Sequence, residues 1–514
     1  MHDRTPILVG GGQYVEREVT PEMAQPPMGI AALAAQRALC DSGVANLIVE
    51  QLDALVAIRI FPDSWNRPRM PNPFGRAENP PRAIARRLGA NPRLAIYGNV
   101  GGNTPQKYIN EMAERIAEGD LDLVLLAGSE AIWTARRALK QNVHLDWQEE
   151  DVGSLEDRGI GEALSTPHEF AHGLGVPIQT YPLFENALRD DLGHNVDEHR
   201  QFMGKLFAPF TRVAARNPYA FYGTERNAGE LATISSENRY ICLPYPKWMN
   251  AMDSVNQGAA VLMTSVAKAR EMSIDPSKWI FLHGCGEANE KLSVSERLNY
   301  TTSPALGLNA SRALEMAGLN LAGIEYIDIY SCFPSAVEIA CRELGVPLDD
   351  PRGLTLTGGL PFFGGPGNNY SMHAIASLLP LLRNNRKAFG MVTANGGYLS
   401  KHATGIYSAR PYVGCWKRED PAICQQQVDA LAYPCFTEVP TGAATIETYT
   451  VCYEKGIPTR GIVIGRQLND KCRFVANTPD SKEFLQQFAV EEQLGRFGTV
   501  RQSGGLNLFE PDFV

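Results

Sequence analysis

The sequence predicts an α/β fold: a duplicated core of two halves, an insertion between them, and a small β domain at the end. Three observations carry this. First, residues 35 to 43 read AQRALCDSG and residues 310 to 318 read ASRALEMAG, identical at five of nine positions, and each closes a helical pattern on a glycine that stops it. Second, a further unit of glycine turn, helix and buried strand follows each copy in the same order, and order shared over two units argues for duplication. Third, from about residue 411 the chain turns to short alternating segments, ATIETYTVC, RGIVIGR and KCRFVA, the period-two pattern of half-buried strands.

The elements follow in order. ILVGGGQ is the first strand, and each nine-residue repeat is followed by a strand introduced by an acid, Asp53 in LDALVAI and Glu325 in IEYIDIY. GNVGGNTPQKYINEMAERIAEGDLDLVLLAGSE then supplies a glycine turn and a helix with Tyr108, Ile109, Met112, Ala113 and Ile116 on one face. The buried strand LDLVLLAG closes this unit. GGPGNNYSMHAIASLLPLLRNNRKAFGMVTANGG repeats the three parts, so parallel strands joined by crossover helices are expected. The stretch from about 131 to 250 is too long for a simple connection; with helical segments around PLFENALRDDLG and DEHRQFMGKLF, it reads as a cap. The expected division is 1–130 first half, 131–250 cap, 251–410 second half and 411–514 β domain.

Length and charge narrow the function. A chain of 514 residues with 44% hydrophobic content has room for about three domains. The 48 basic and 57 acidic residues give a net charge of -9, which disfavours nucleic acid and anionic membranes. Residues 411 to 514 carry ten basic and thirteen acidic side chains, so even an OB-like barrel there does not read as a nucleic-acid binder. MHDRTPILVGGGQ lacks the regions of a signal peptide, and no apolar run approaches the ~20 residues of a membrane span. The ten cysteines are scattered without a CxxC pair, so reduced thiols and a cytoplasmic location are expected. GGGQ at residues 10 to 13 lacks the GxGxxG spacing of a dinucleotide site.

The order of motifs resembles the thiolase superfamily, most nearly the branch related to sterol-carrier-protein thiolases, over residues 5 to 410. The stretches that carry it are ILVGGGQ, the helix and strand that end in AGSE, NPYAFYG, KWMNAMDSVNQGAAVLMTS, IDIYSCFPSA, GGLPFFGGPGNN and ANGGYLS. The added segment 411–514 resembles the extra domain of thiolase-like proteins of type 1. The resemblance implies a duplicated thiolase fold, two βαβαβαββ halves layered α-β-α-β-α with an inserted cap, followed by a small OB-like barrel.

Four active-site motifs can be laid on the chain. The nucleophilic cysteine falls at Gly102. The HDCF motif reads Tyr330-Ser331-Cys332-Phe333, the GHP turn reads Gly364-Gly365-Pro366, and the CxG segment reads Ala394-Asn395-Gly396. Every side chain that would move a proton or hold an acyl group is replaced. The backbone amides of Gly102 and Gly396 remain where the family forms its oxyanion hole.

The resemblance implies coenzyme A or an acyl-CoA as the ligand, with no cofactor required. Asn103, Tyr330, Gly365, Asn368, Asn369 and Asn395 would line the cleft, and Ser254 and Gly258 the coenzyme A region. Close packing or turn geometry would explain several of these residues equally. Cys332 could be a relocated nucleophile served by His373 or His402, or a small buried hydrophobe. His168 and His172 are four apart, but Pro167 and Gly173 point to a loop, and no metal ligand set is expected. Three readings stay open: a coenzyme A binder without thiolase chemistry, an acyl-CoA acyltransferase or thioester hydrolase using Cys332, and a scaffold recruiting a protein through the β domain. The assembly is expected to be a monomer or a homodimer.

Overall fold

The computed structural model describes residues 1–65 and 73–512. The first half consists of β1 (Pro6–Val15), α1 (Pro27–Ser42), β2 (Ala54–Ala57), β3 (Leu94–Tyr97), α2 (Thr104–Glu118), β4 (Leu123–Ala131) and, beyond the insertion, β5 (Asn256–Ser265). The insertion contributes α3 (Pro177–Asp191) and α4 (Val196–Arg216). The second half consists of β6 (Ile280–Asn289), α5 (Pro304–Ala317), β7 (Tyr326–Asp328), α6 (Pro334–Leu344), α7 (Tyr370–Asn384), β8 (Phe389–Gly396) and β9 (Lys401–Ser408).

One ten-stranded sheet runs β7-β8-β9-β6-β1-β5-β4-β2-β3, with the two-residue strand Glu156–Asp157 at its edge beside β3. Outward from the β1/β6 seam, each half repeats the order first strand, last strand, penultimate strand, second strand. The outer pairs β2/β3, β2/β4 and β7/β8 are parallel, as crossover helices require. The pairs β1/β5, β4/β5, β6/β9, β8/β9 and β1/β6 are antiparallel, so the parallel expectation holds only for the crossover strands. Two further differences follow. β5, expected in the second half, lies between β1 and β4, and among the described residues the second half has no counterpart of β3.

Packing explains why the halves match. Met112, Ile116, Ile375 and Leu379 of α2 and α7 share one core with both parts of the sheet, so these two helices form the middle layer. Ala31, Ala34 and Ala38 of α1 cover the outer face of the first half, while Leu306 of α5 and Val337 of α6 cover that of the second. The small helix faces allow unusually close approach. A β-carbon on Gly10 or Gly12 would lie 2.1 or 2.2 Å from the Ala38 or Ala34 carbonyl oxygen, and one on Gly284 or Gly286 would lie 1.9 or 2.1 Å from that of Ala313 or Asn309. The same two-residue strand step thus meets the same four-residue helix step in both halves, so the duplication extends to individual contacts.

The C-terminal strands β10 (Gly442–Glu454), β11 (Ile457–Gln467), β12 (Arg473–Asn477), β13 (Phe497–Ser503) and β14 (Leu506–Pro511) run in the order β11-β12-β14-β13-β10, and β10 pairs back to β11. This is a closed five-stranded barrel, which removes exposed sheet edges. It is fastened to the insertion: Arg189 of α3 forms two bonds to the Glu492 carboxylate at 2.6 and 2.8 Å, and Thr448 donates to the Leu183 carbonyl at 2.6 Å. Arg473, fully buried, reaches the Glu447 carboxylate at 2.7 Å and the Ser295 carbonyl of the second half at 3.2 Å. Cys435 and Cys472 form a disulfide, correcting the expectation that every thiol is free. The pairing joins residues 37 apart in sequence, a spacing that no short motif marks.

Candidate functional site

Two glycine turns lead into α2 and α7, and the helix starts are tied to each other. Thr104 Oγ1 donates to the Gly101 carbonyl at 2.7 Å, and Pro105 lies in the first turn of α2, where a missing N–H costs nothing. From the other turn, Asn368 Oδ1 accepts from the Gly101 amide at 3.0 Å, while its Nδ2 donates to the Arg59 carbonyl at 2.8 Å. Ser371 Oγ donates to the Gly102 carbonyl at 2.9 Å, and Asn369 Nδ2 donates to that of Gly128 at 2.7 Å. Asn368 and Asn369 therefore have structural work that joins the repeats.

At the junction five motif residues converge. A β-carbon on Gly102 would lie 2.3 Å from the Tyr330 hydroxyl and 2.5 Å from the Asn395 carbonyl oxygen. One on Gly396 would lie 2.4 Å from Asn103 Oδ1 and 3.1 Å from the Gly102 amide nitrogen. Gly102, Asn103, Tyr330, Asn395 and Gly396 thus occupy one buried spot, with no space for a side chain at position 102. The side-chain oxygens of Asn103 and Asn395 are buried there without hydrogen-bond partners, a condition that costs free energy unless something else satisfies them.

Cys332 adjoins this spot: its Sγ lies 4.0 Å from Asn395 Nδ2, and burial pushes its thiol up to about 12. The Tyr181 hydroxyl also reaches Cys332 and accepts from Asn395 Nδ2 at 2.9 Å, while its ring stacks on Phe333 at 4.3 Å. Neither candidate base is paired with the thiol. His373 Nδ1 donates to Gln13 Oε1 at 2.8 Å, and His402 Nε2 lies 3.2 Å from the Leu399 carbonyl oxygen and 3.1 Å from Ser303 Oγ. Burial lowers both imidazoles to about 3.

The remaining sequence candidates are dispersed. Gly365 donates its amide to the Met252 carbonyl at 2.8 Å in a turn, Ser254 offers its carbonyl to the Tyr222 hydroxyl at 2.8 Å, and a β-carbon on Gly258 would meet Ile30 of α1 at 2.9 Å. His168 does not lie in a loop but in the short helix Pro167–Ala171, held by a Thr166/Glu169 capping box, and His172 is the turn residue that closes it. His172 Nε2 accepts from the Asn507 amide of the barrel at 2.9 Å, so the pair docks two domains. Two residues of the site carry no sequence signal. Tyr181 comes from the insertion, and Lys401, nine-tenths buried, points its ammonium at the Val100 carbonyl oxygen 3.4 Å away. Burial lowers the Lys401 amine.

Comparison with known proteins places this geometry. Residues 424–505 match the family described as the thiolase-like protein type 1 additional C-terminal domain. No curated protein matches the chain by sequence. Among solved structures, a monomeric SCP2-thiolase like protein type 1 (STLP1) from Mycobacterium smegmatis is 36% identical, with a TM-score of 0.84 over 99% of this chain and 100% of the other. Two more distant structures share the fold alone. An Ltp2-ChsH2(DUF35) aldolase is 17% identical, with a TM-score of 0.56 over 79% of this chain and 98% of the other. An acetyl-CoA acetyltransferase from Syntrophomonas wolfei is 13% identical, with a TM-score of 0.55 over 80% of this chain and 100% of the other. Identity at this level along the whole length, together with the matched C-terminal domain, shows that the chain belongs to the SCP2-thiolase-like type 1 proteins.

Proposed function

We propose that this protein binds coenzyme A or an acyl-CoA thioester beside the paired glycine turns and does not carry out cysteine-dependent acyl transfer. The single observation behind this reading is the Tyr330 hydroxyl at the place where a side chain on Gly102 would begin. A thiolate at a helix start owes its reactivity to the dipole and free amides there, and here that start has no room for one. The glycine backbone on both sides is kept, and Lys401 brings a buried amine to the same turn, which suits an anionic ligand. Cys332 does not replace the missing nucleophile, because burial holds its thiol neutral and its neighbours Tyr181 and Asn395 are not bases.

The Mycobacterium smegmatis relative is described as monomeric, and we propose the same for this chain. The cytoplasm remains our proposal for its compartment: eight cysteines are free, against one disulfide. Among the described residues no helix is long and apolar enough to cross a membrane. Isothermal titration with coenzyme A, acetyl-CoA and acetoacetyl-CoA tests the binding. Saturable heat at one site per chain supports it; no heat with any of the three at millimolar ligand contradicts it and favours a scaffold role.

A further inference from the structure

Away from the glycine turns, three side chains from distant parts of the sequence meet inside the protein. Glu185 of α3, His199 of α4 and Glu338 of α6 place one ligand atom each within 4.8 Å of one another. They are 0, 0 and 5% exposed. The His199 Nε2 to Glu185 Oε1 distance is 2.5 Å, and the Tyr245 hydroxyl donates to Glu185 Oε2 at 2.5 Å while lying 2.7 Å from Ser335 Oγ. Glu338 Oε1 is buried and meets no N–H or O–H donor, and the Glu338 carboxyl lies at hydrogen-bonding distance from that of Glu185. Two carboxylates and one imidazole thus share a dry space in which one oxygen lone pair is unmatched, and buried carboxylates are stable when paired or when they coordinate a metal.

We infer that Glu185, His199 and Glu338 form a site for a divalent transition-metal ion, Zn²⁺ in the first instance, that pins the insertion to the second half. One imidazole and two carboxylates are a donor set that suits a borderline ion. Ligands about 2.0–2.2 Å from the ion lie roughly 3.3 Å apart, so loading opens the Glu185–His199 contact by less than about 1 Å. The surroundings fit ligation. His199 Nδ1 faces His194 Nδ1 at 3.3 Å, and Tyr245 fixes the outer oxygen of Glu185, the kind of second layer that orients metal ligands. Complete burial, with ligands from α3, α4 and α6, makes the site structural. Binding replaces the protons held by the cluster, so uptake releases protons and weakens in acid.

The test uses full-length protein. Metal content is measured by mass spectrometry, the protein is stripped with dipicolinate, and Zn²⁺ and Co²⁺ are returned while melting temperature and visible absorbance are followed. About one ion per chain is expected, with a rise in melting temperature on adding Zn²⁺ and a d–d band on adding Co²⁺. Glu338→Gln, nearly isosteric, should lower Zn²⁺ affinity at least about tenfold. Should that variant fail to fold, the wild-type stoichiometry and the Co²⁺ spectrum decide alone. Stripped wild-type protein that takes up neither ion at about 100 µM overturns the inference, as does a folded Glu338→Gln protein that binds Zn²⁺ as tightly as wild type. Either result leaves a proton shared between two carboxylates as the account of the cluster.

Discussion

The Tyr330 hydroxyl stands 2.3 Å from the point where a β-carbon on Gly102 would lie. The two residues are therefore sterically complementary: the tyrosine hydroxyl occupies the space that a side chain at position 102 would need.

Gly102→Ala should cost about 1–3 kcal/mol by overpacking. Tyr330→Ala leaves a cavity and is destabilising by itself. Combined, the two changes should be less damaging than the sum of the singles by about 1 kcal/mol or more, the coupling expected of residues in contact. Urea unfolding of the four proteins measures it, and strict additivity would show that the two do not compete for space.

Burial raises the Asp328 carboxyl to about 7, against about 4 in an unfolded chain. Below pH 4 both states hold the proton. Between pH 4 and 7 the unfolded chain gives it up while the folded one keeps it, so stability from this group falls as pH rises and levels off above 7, by at most about 4 kcal/mol. Asp328→Asn should therefore be increasingly more stable than wild type over that range, since an amide oxygen can still accept from the Leu356 amide, now at 2.7 Å from the carboxylate. A stability difference that does not vary between pH 4 and 7 would contradict this.

With its thiol at about 12, Cys332 has on the order of one thiolate in ten thousand at pH 8. Native alkylation followed by peptide mass spectrometry should label the exposed Cys40 and Cys415 first, and Cys332 only after unfolding. Early labelling of Cys332 would return the acyltransferase reading to consideration.

The Cys435–Cys472 bond closes a loop of 37 residues, and the chain-entropy relation values such a closure at about 4 kcal/mol. Reductant should lower the melting temperature of the wild type and leave that of Cys435→Ser/Cys472→Ser unchanged. Equal sensitivity of the two proteins would place the effect elsewhere.

What the sequence reveals here is local or repeated. The α2 face of Tyr108, Ile109, Met112, Ala113 and Ile116 is buried as its spacing predicts, because a 3.6-residue period states which side meets the core. The repeat around Ala38 and Ala313 predicts equivalent helices, and the glycines opposite them agree to within a few tenths of an ångström. The barrel is visible in its alternation. What stays hidden depends on tertiary approach: Tyr181 reaching Cys332 from the insertion, Asn103 turning its oxygen toward Gly396, and Glu185 meeting Glu338. β5 is misplaced for the same reason, since NQGAAVLMTS states that a strand is buried without stating which neighbours bury it.

We propose a thiolase-type frame that holds a thioester without reacting with it. Incubation with acetoacetyl-CoA and coenzyme A, with acetyl-CoA formation followed by chromatography, tests this most directly. Bound acetoacetyl-CoA should be recovered intact, with acetyl-CoA formed no faster than in a protein-free control. Turnover above that control that disappears in Cys332→Ala would contradict it.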